Sequence, residues 1–82
     1  MLRDNKSVRQ SVIKERAELK GKTDRLHKFV MKSEDFKKLS PTHQLLLKKQ
    51  LCLMIRTLEI LDKRIKDLDR QIELEEDGYE RR

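Results

Sequence analysis

The chain has 82 residues, of which 44% are charged and 4% are aromatic, and its formal net charge is +6. A domain this small usually needs support beyond its own core, from a disulfide, a metal or a partner chain. The one cysteine, Cys52, excludes an internal disulfide, and it shows no metal-ligand spacing with His27 or His43. Self-association is therefore the expected source of stability.

The charge is unevenly distributed along the chain. Residues 1–66 carry 18 basic and 8 acidic side chains, a net charge of +10, whereas residues 67–82 carry 3 and 7, a net charge of −4. A basic body favours an anionic partner, although a solvated helical surface would account for part of it. The N-terminal residues lack the apolar segment of a signal peptide, and no apolar run approaches the length of a membrane span. We expect a soluble cytoplasmic protein with no membrane partner.

The first predicted helix covers about residues 5–31. Glycine and proline are rare, and no strand-like alternation occurs, so a wholly helical fold is expected. Ser7 and Gln10 have the spacing of a capping box, and Asp4 or Asn5 offers a start one turn earlier. The apolar positions with helical spacing are Val8, Val12, Leu19, Leu26 and Val30, widened by Ile13, Ala17 and Phe29.

A short second element, about residues 34–39, is predicted as a helical corner. Ser33 can cap a turn whose positive N-terminal end suits the two acidic residues that follow it. Ser40 can cap a new helix that begins at Pro41, where the missing N–H costs nothing. The apolar side chains expected to plug the corner are Phe36 and Leu39.

The last predicted helix runs from Pro41 to about Glu76, before Gly78, over a length of about 52 Å. Its main apolar line alternates by four and three, which is typical of a heptad seam. A second line lies beside it with a spacing of seven. One helix cannot cover both lines, so the sequence predicts an all-α helical hairpin that assembles into a homo-oligomer, with an acidic tail over residues 73–82. The first line is Leu47, Leu51, Met54, Leu58, Leu61, Ile65, Leu68 and Ile72, and the second is Leu46, Leu53 and Ile60.

No catalytic constellation is visible in the sequence. His27 and His43 have no nucleophile at a suitable spacing, and no glycine-rich phosphate loop is present. We therefore expect a binding protein with neither enzymatic activity nor a cofactor. Aromatic side chains that could stack on bases are scarce, since Phe29 and Phe36 are predicted to lie in the core, so generic single-strand binding is not expected.

Gly21 lies inside the first helix, where a glycine costs about 1 kcal/mol relative to alanine. Either the helix tolerates it, or a neighbour or ligand approaches the backbone there, beside Lys22 and Arg25. Favourable i,i+4 pairs such as Glu18–Lys22 would neutralise part of the local charge. The positive charge that remains could contact the phosphates of a nucleotide or of a nucleic-acid duplex, and both alternatives stay open.

Three segments together resemble a known family: ERAELKGKTDRLHKFV, FKKLSPTHQLLLKKQLCLM and LEILDKRI. They are similar to small phage proteins with an E-L-x-x-K helix, an F-x-x-L unit and a Q-x-x-L-L-x-x-Q-type helix that ends in L-x-x-R-I. This family includes the phage anti-CBASS sponges, compact helical hexamers that sequester the cyclic oligonucleotide signals of bacterial immunity. The resemblance covers about residues 12–65, and it implies a hexamer in the cytoplasm of an infected bacterium.

The resemblance also implies site residues. Lys22 matches the lysine of E-L-x-x-K, which contacts a cyclic dinucleotide, and Arg64 matches the basic residue of L-x-x-R-I, near a cyclic trinucleotide site. Ser7, Ser11 and Arg25 complete the expected ligand-binding set. The aromatic residue that the family places near Ser7 is missing, so the dinucleotide site is expected to be the weaker. Two alternatives stay open: a coiled-coil adaptor or inhibitor of a host protein, and a basic nucleic-acid-binding bundle.

Overall fold

The computed structural model describes residues 4–80, with side chains to residue 76, as three helices in one antiparallel hairpin. Helix α1 spans Asn5–Lys32, α2 spans Glu34–Lys37 and α3 spans Pro41–Glu80. This part of the chain contains no strand, so the predicted all-α hairpin is confirmed. The hairpin is thin, with principal extents of 65 × 24 × 15 Å. Because only two helices meet, most side chains keep contact with solvent.

Helix α1 begins at the earlier of its candidate caps. The side chain of Asp4 accepts a hydrogen bond from the backbone N–H of Ser7 at 2.7 Å, so Asp4 rather than Ser7 is the N-cap. That bond lowers the pKa of Asp4, because it stabilises the ionised carboxylate. The helix ends at Lys32, after which Ser33 is extended and donates its N–H to the carbonyl of Phe29.

Two serine caps shape the corner between α1 and α3. The hydroxyl oxygen of Ser33 accepts from the N–H of Asp35 at 3.1 Å, and that of Ser40 accepts from the N–H of His43 at 3.1 Å. Each cap satisfies a backbone donor that the start of a helix leaves unpaired. The chain can therefore stop one helix and begin the next over residues 33–40.

An apolar plug fills the corner. Phe36 is only 5% exposed, as predicted, and its ring meets that of Phe29 edge-on, with 6.0 Å between the centroids. Leu39 is half-buried, and its carbonyl accepts a 2.9 Å hydrogen bond from the side-chain amide of Gln44. The amine of Lys48 lies 5.9 Å from the Phe36 centroid. The corner thus combines apolar burial with satisfied backbone groups.

The two long helices pack along the predicted heptad line of α3. Leu51 and Leu61 are buried, and the other members of the line are half-buried. Helix α1 contributes Val12 and Thr23 as its buried residues. The apolar pattern missed Thr23 as a core position, because threonine is polar. Its burial is tolerated because its hydroxyl donates to the carbonyl of Leu19 at 2.7 Å and needs no partner outside the helix.

The second apolar line of α3 stays uncovered. Leu46, Leu53 and Ile60 are 55%, 64% and 56% exposed, respectively. Single exposed apolar residues are ordinary, but these three repeat along one side of a helix for about 21 Å. We call them the open apolar line. Its exposure fits the prediction that α1 alone is too narrow to cover both lines of α3.

Helix α3 extends beyond its predicted end. The sequence predicted an end near Glu76, ahead of Gly78, but the helix continues to Glu80. No glycine among residues 4–80 has a positive φ, so Gly78 does not form the left-handed cap that commonly stops a helix. The predicted acidic tail, residues 73–82, reaches past the described residues. None of the described helices combines the length and the apolar content that a membrane span requires.

Candidate ligand-binding grooves

Polar contacts join α1 and α3 along one side of the hairpin. Arg9 pairs with Asp69, and Arg16 pairs with Asp62. Within each helix the two partners are seven residues apart, so both pairs lie on the same side. Lys6 and Asn5 add contacts to the acidic end of α3, at 3.3 Å to Glu76 and 2.6 Å to Glu75. Part of the basic surplus of residues 1–66 is therefore neutralised inside the hairpin.

A shallow groove of about 300 Å³ lies where the N-terminal part of α1 meets the C-terminal half of α3. Arg64, a predicted ligand-binding residue, lines this groove, which we call the Arg64 groove. Apolar side chains from both helices line it together with charged side chains of α3. The other lining residues are Val8, Ile60, Lys63, Asp67 and Leu68.

The Arg64 groove combines an apolar surface with a surplus of positive charge. Arg64 and Lys63 outweigh Asp67 by one charge. A guanidinium presents a planar set of donors that matches a phosphate, and apolar side chains suit the face of a base. Ile60 also belongs to the open apolar line, so the groove is continuous with the uncovered side of α3. A chain that covered this line would also cover one edge of the groove.

Ser7 and Ser11 occupy a different place. They line a second depression on α1, together with Gln10 and Lys14. The backbone N–H of Ser7 is already used by the Asp4 cap. This depression offers polar groups and one cation, without the apolar side chains found in the Arg64 groove.

Lys22 is exposed on α1. The ion pair expected between Glu18 and Lys22 is not among those of the described residues; instead, Lys20 pairs with Asp24 at 2.6 Å. Gly21 lies beside Lys22, and among the described residues the group that comes near its Cβ position is the guanidinium of Arg25, one turn further along α1. A Cβ at Gly21 would lie 3.4 Å from that nitrogen, Nη1 of Arg25. Within one chain the glycine is tolerated, and nothing in the packing of α1 against α3 requires it.

Arg25 lines a third groove, at the closed end of the hairpin, with a volume of about 320 Å³. The sequence predicted Phe29 as a core residue, but its side chain is half-buried and lines this groove. The groove contrasts with the second depression because it carries both an aromatic ring and several cations. Its lining residues are Arg25, Lys28, Phe29, Lys32 and Ser33.

A family model described as Sequestin matches residues 6–67. The chain belongs to the Sequestin family. The matched range includes every predicted ligand-binding residue, from Ser7 to Arg64, and it ends before the acidic tail. The family name indicates a sequestering function. Comparisons with curated proteins and with solved structures gave no match.

The Sequestin hairpin separates the predicted ligand-binding residues along its length. Because Arg16 pairs with Asp62 across antiparallel helices, Arg64 lies about level with residue 14 of α1. Lys22 is eight residues further along, or about 12 Å. Ser7 and Ser11, Arg25 and Arg64 each line a different groove. Within one chain the predicted ligand-binding residues therefore do not form a single cluster, and their separation fits more than one ligand site.

Some residues that line the Sequestin grooves were not predicted to bind a ligand. Ile60, Asp67 and Leu68 stand at positions −4, +3 and +4 from Arg64, so helical spacing around Arg64 would have found them. Val8 comes from α1, and no local pattern connects it with Arg64. Only the register of the antiparallel pair reveals that contact.

Proposed function

We propose that this protein binds and sequesters a cyclic oligonucleotide second messenger of bacterial anti-phage defence, in the cytoplasm of an infected host. The observation that carries the proposal is the Arg64 groove, which lies on residues of the Sequestin match except for Leu68. A base and a phosphate are the groups that its apolar and cationic surfaces suit. Sequestration requires binding and release only, so the ligand leaves chemically unchanged.

The proposal includes a second, weaker ligand at Lys22. Lys22 is exposed, and Arg25 lies close by on α1, so an anion could contact both. In the phage protein family that the sequence resembles, an aromatic residue is also common at the position of Thr57. Here the Thr57 hydroxyl donates to the carbonyl of Leu53 at 2.8 Å, within its own helix. Without aromatic stacking, a base at this second site loses about 1–3 kcal/mol of binding free energy.

We further propose that the binding form is a homo-oligomer, with a hexamer as the expected state. The open apolar line supports this, because α1 leaves it uncovered. Since Ile60 belongs both to the line and to the Arg64 groove, a neighbouring copy on the line would also enclose the ligand. Enclosure strengthens a charge-assisted phosphate contact, because the contact is then shielded from water.

Calorimetry with a panel of cyclic di- and trinucleotides tests the ligand. We expect Arg64→Gln to weaken trinucleotide binding by about 10- to 150-fold, which corresponds to one charged hydrogen-bond contact. Lys22→Gln should weaken dinucleotide binding instead. The matched control is Lys66→Gln, which removes an exposed charge from α3 at a residue that does not line the Arg64 groove.

Two outcomes would contradict this assignment. If no cyclic nucleotide gives heat with the wild-type protein at micromolar concentrations, the ligand class is wrong. If chromatography of the released ligand shows an altered nucleotide, the protein is an enzyme and not a sponge.

Light scattering tests the assembly. The substitution Leu53→Asp should dissociate the oligomer, because it would place an unpaired charge in an apolar interface. Met31→Asp is the control, since Met31 is as exposed as Leu53 but lies on α1. A wild-type mass equal to the 9.9 kDa of one chain would contradict the proposed oligomer.

The open apolar line also favours a second candidate function. A coiled-coil adaptor or inhibitor would place a helix of a host protein on Leu46, Leu53 and Ile60, where the first proposal places another copy. This candidate predicts a monomer or small oligomer that gives no heat with any cyclic nucleotide. A nucleic-acid-binding bundle would differ from both, because its affinity would fall steeply as salt is raised.

A further inference from the structure

The groove at the closed end of the hairpin has features of a separate binding site. We call it the closed-end groove. Four of its residues, Arg25, Lys28, Phe29 and Lys32, follow the i, i+3, i+4, i+7 spacing of one helix face. Its volume of about 320 Å³ is at the lower limit for small-molecule sites. A ligand of this groove must therefore be small.

The aromatic ring in this groove is held in place from behind. Phe29 meets Phe36 edge-on, at an interplanar angle of 86°, and Phe36 is almost fully buried in the corner. The orientation of the Phe29 ring is therefore set by the plug and does not depend on a ligand. A ring that is positioned beforehand offers a flat apolar surface at little cost in side-chain entropy.

The cations of this groove differ from several other basic residues nearby. Lys20, Lys37 and Lys38 each pair with an acidic neighbour. Among the ion pairs of the described residues, none involves the three cations of the groove, which are Arg25, Lys28 and Lys32. The groove thus presents three positive charges beside one aromatic ring, a combination that suits an anion with an aromatic body.

Ser33 adds a hydrogen-bond donor. Its hydroxyl oxygen accepts the N–H of Asp35, and a hydroxyl that accepts one bond can still donate its own proton. A phosphate oxygen in the groove could accept a hydrogen bond from this hydroxyl, and the phosphate could also accept hydrogen bonds from the amines of Lys32 and Lys28. Because the cap fixes the position of the hydroxyl, the donor stays at the end of the groove.

We propose that the closed-end groove binds a phosphorylated aromatic compound of mononucleotide size. The phosphate of the ligand would lie among Arg25, Lys28 and Lys32, and the aromatic ring of the ligand would lie against the ring of Phe29. The site is distinct from the Arg64 groove, since Arg64 is about level with residue 14 and Arg25 is 11 residues, or about 16 Å, further along α1. It shares Arg25 with the proposed Lys22 site, but Lys28, Phe29, Lys32 and Ser33 belong to the closed-end groove and not to that site. The inference goes beyond the proposed function because the ligand of this groove would be a linear monophosphate and not a cyclic oligonucleotide.

Amide NMR titration of the full chain with adenosine 5′-monophosphate tests this site. We expect the shift changes to centre on residues 25–33, and adenosine alone or inorganic phosphate alone to bind more weakly than the monophosphate. Phe29→Leu, which keeps an apolar side chain but removes the ring, should weaken binding by about 5- to 150-fold. Lys28→Gln should weaken it by about 10-fold.

Controls keep the test independent of folding and of the proposed function. Lys28 is exposed, so Lys28→Gln should melt with the wild type, and Lys66→Gln should bind the monophosphate normally. Arg64→Gln should also retain monophosphate binding, while Lys28→Gln retains any cyclic oligonucleotide binding. Shift changes centred on Val8 and Arg64, equal binding of inorganic phosphate alone, or loss of both ligands in Lys28→Gln would each overturn the proposal.

Discussion

At its closed end the hairpin is held by apolar side chains around Phe36, whereas at its open end α1 and α3 are joined by ion pairs such as Arg9–Asp69. Phe36 is 5% exposed. The side chains of Arg9 and Asp69 are 37% and 46% exposed. The ion pairs are thus only half-shielded from solvent, while the plug is almost fully buried.

The comparison shows that the two ends should respond to different conditions. Burying a large apolar side chain is worth about 1.5–3 kcal/mol and is not weakened by electrostatic screening, whereas an exposed ion pair is worth about 0–1 kcal/mol and is screened by salt. We therefore expect the open end to fray before the closed end. The Arg64 groove spans both helices toward the open end, so a ligand bound there would stabilise the weaker half of the hairpin.

The largest expected effect comes from removing the plug. Phe36→Ala should lower the free energy of unfolding by about 3–5 kcal/mol, because it leaves a cavity beneath Phe29 and removes the wall of the corner. Urea denaturation at a fixed protein concentration measures it. Met31→Ala is the control, since Met31 is 65% exposed and its truncation should change stability by less than about 0.5 kcal/mol. An unchanged midpoint for Phe36→Ala would show that the closed end does not depend on the plug.

A smaller effect is expected from the polar part of the corner. Gln44→Ala removes the amide that donates to the carbonyls of Leu39 and Lys37, at 2.9 and 3.3 Å. The loss should be about 1 kcal/mol, typical of one hydrogen bond to a partly buried carbonyl. Gln50→Ala is the matched control, on the same helix with an exposed side chain. If both variants lose the same stability in urea, the Gln44 amide has no special role at the closed end.

The smallest effect is expected at the open end. A double-mutant cycle with Arg9→Gln and Asp69→Asn should give a coupling free energy of about 0.2–1 kcal/mol, since their side chains are 37% and 46% exposed. The coupling should nearly vanish at about 1 M salt, where the screening length is about 3 Å. A coupling that exceeded the Gln44→Ala effect and persisted in salt would reverse the ranking of the two ends.

The amino-acid sequence by itself determined the helices, the corner and the seam. Ser33, Ser40 and Pro41 act within a few residues of where they stand, so the chain reversal could be read from them directly. The heptad line of α3 identified the packed face, because helical periodicity is a local property. The local rules failed at helix ends: they offered both Asp4 and Ser7 as caps, and they placed the end of α3 near Glu76, before Gly78.

Only the tertiary structure decided which distant residues meet. Arg16 and Asp62 are 46 positions apart, and Val8 reaches the Arg64 groove from the other helix. No local preference encodes such contacts, because they depend on the register of the antiparallel pair. The same register buries the polar Thr23 in the seam, while the corner leaves Phe29 half-buried beside three cations. The fold could therefore be predicted from local periodicity, whereas the grooves form only when α1 and α3 pack together.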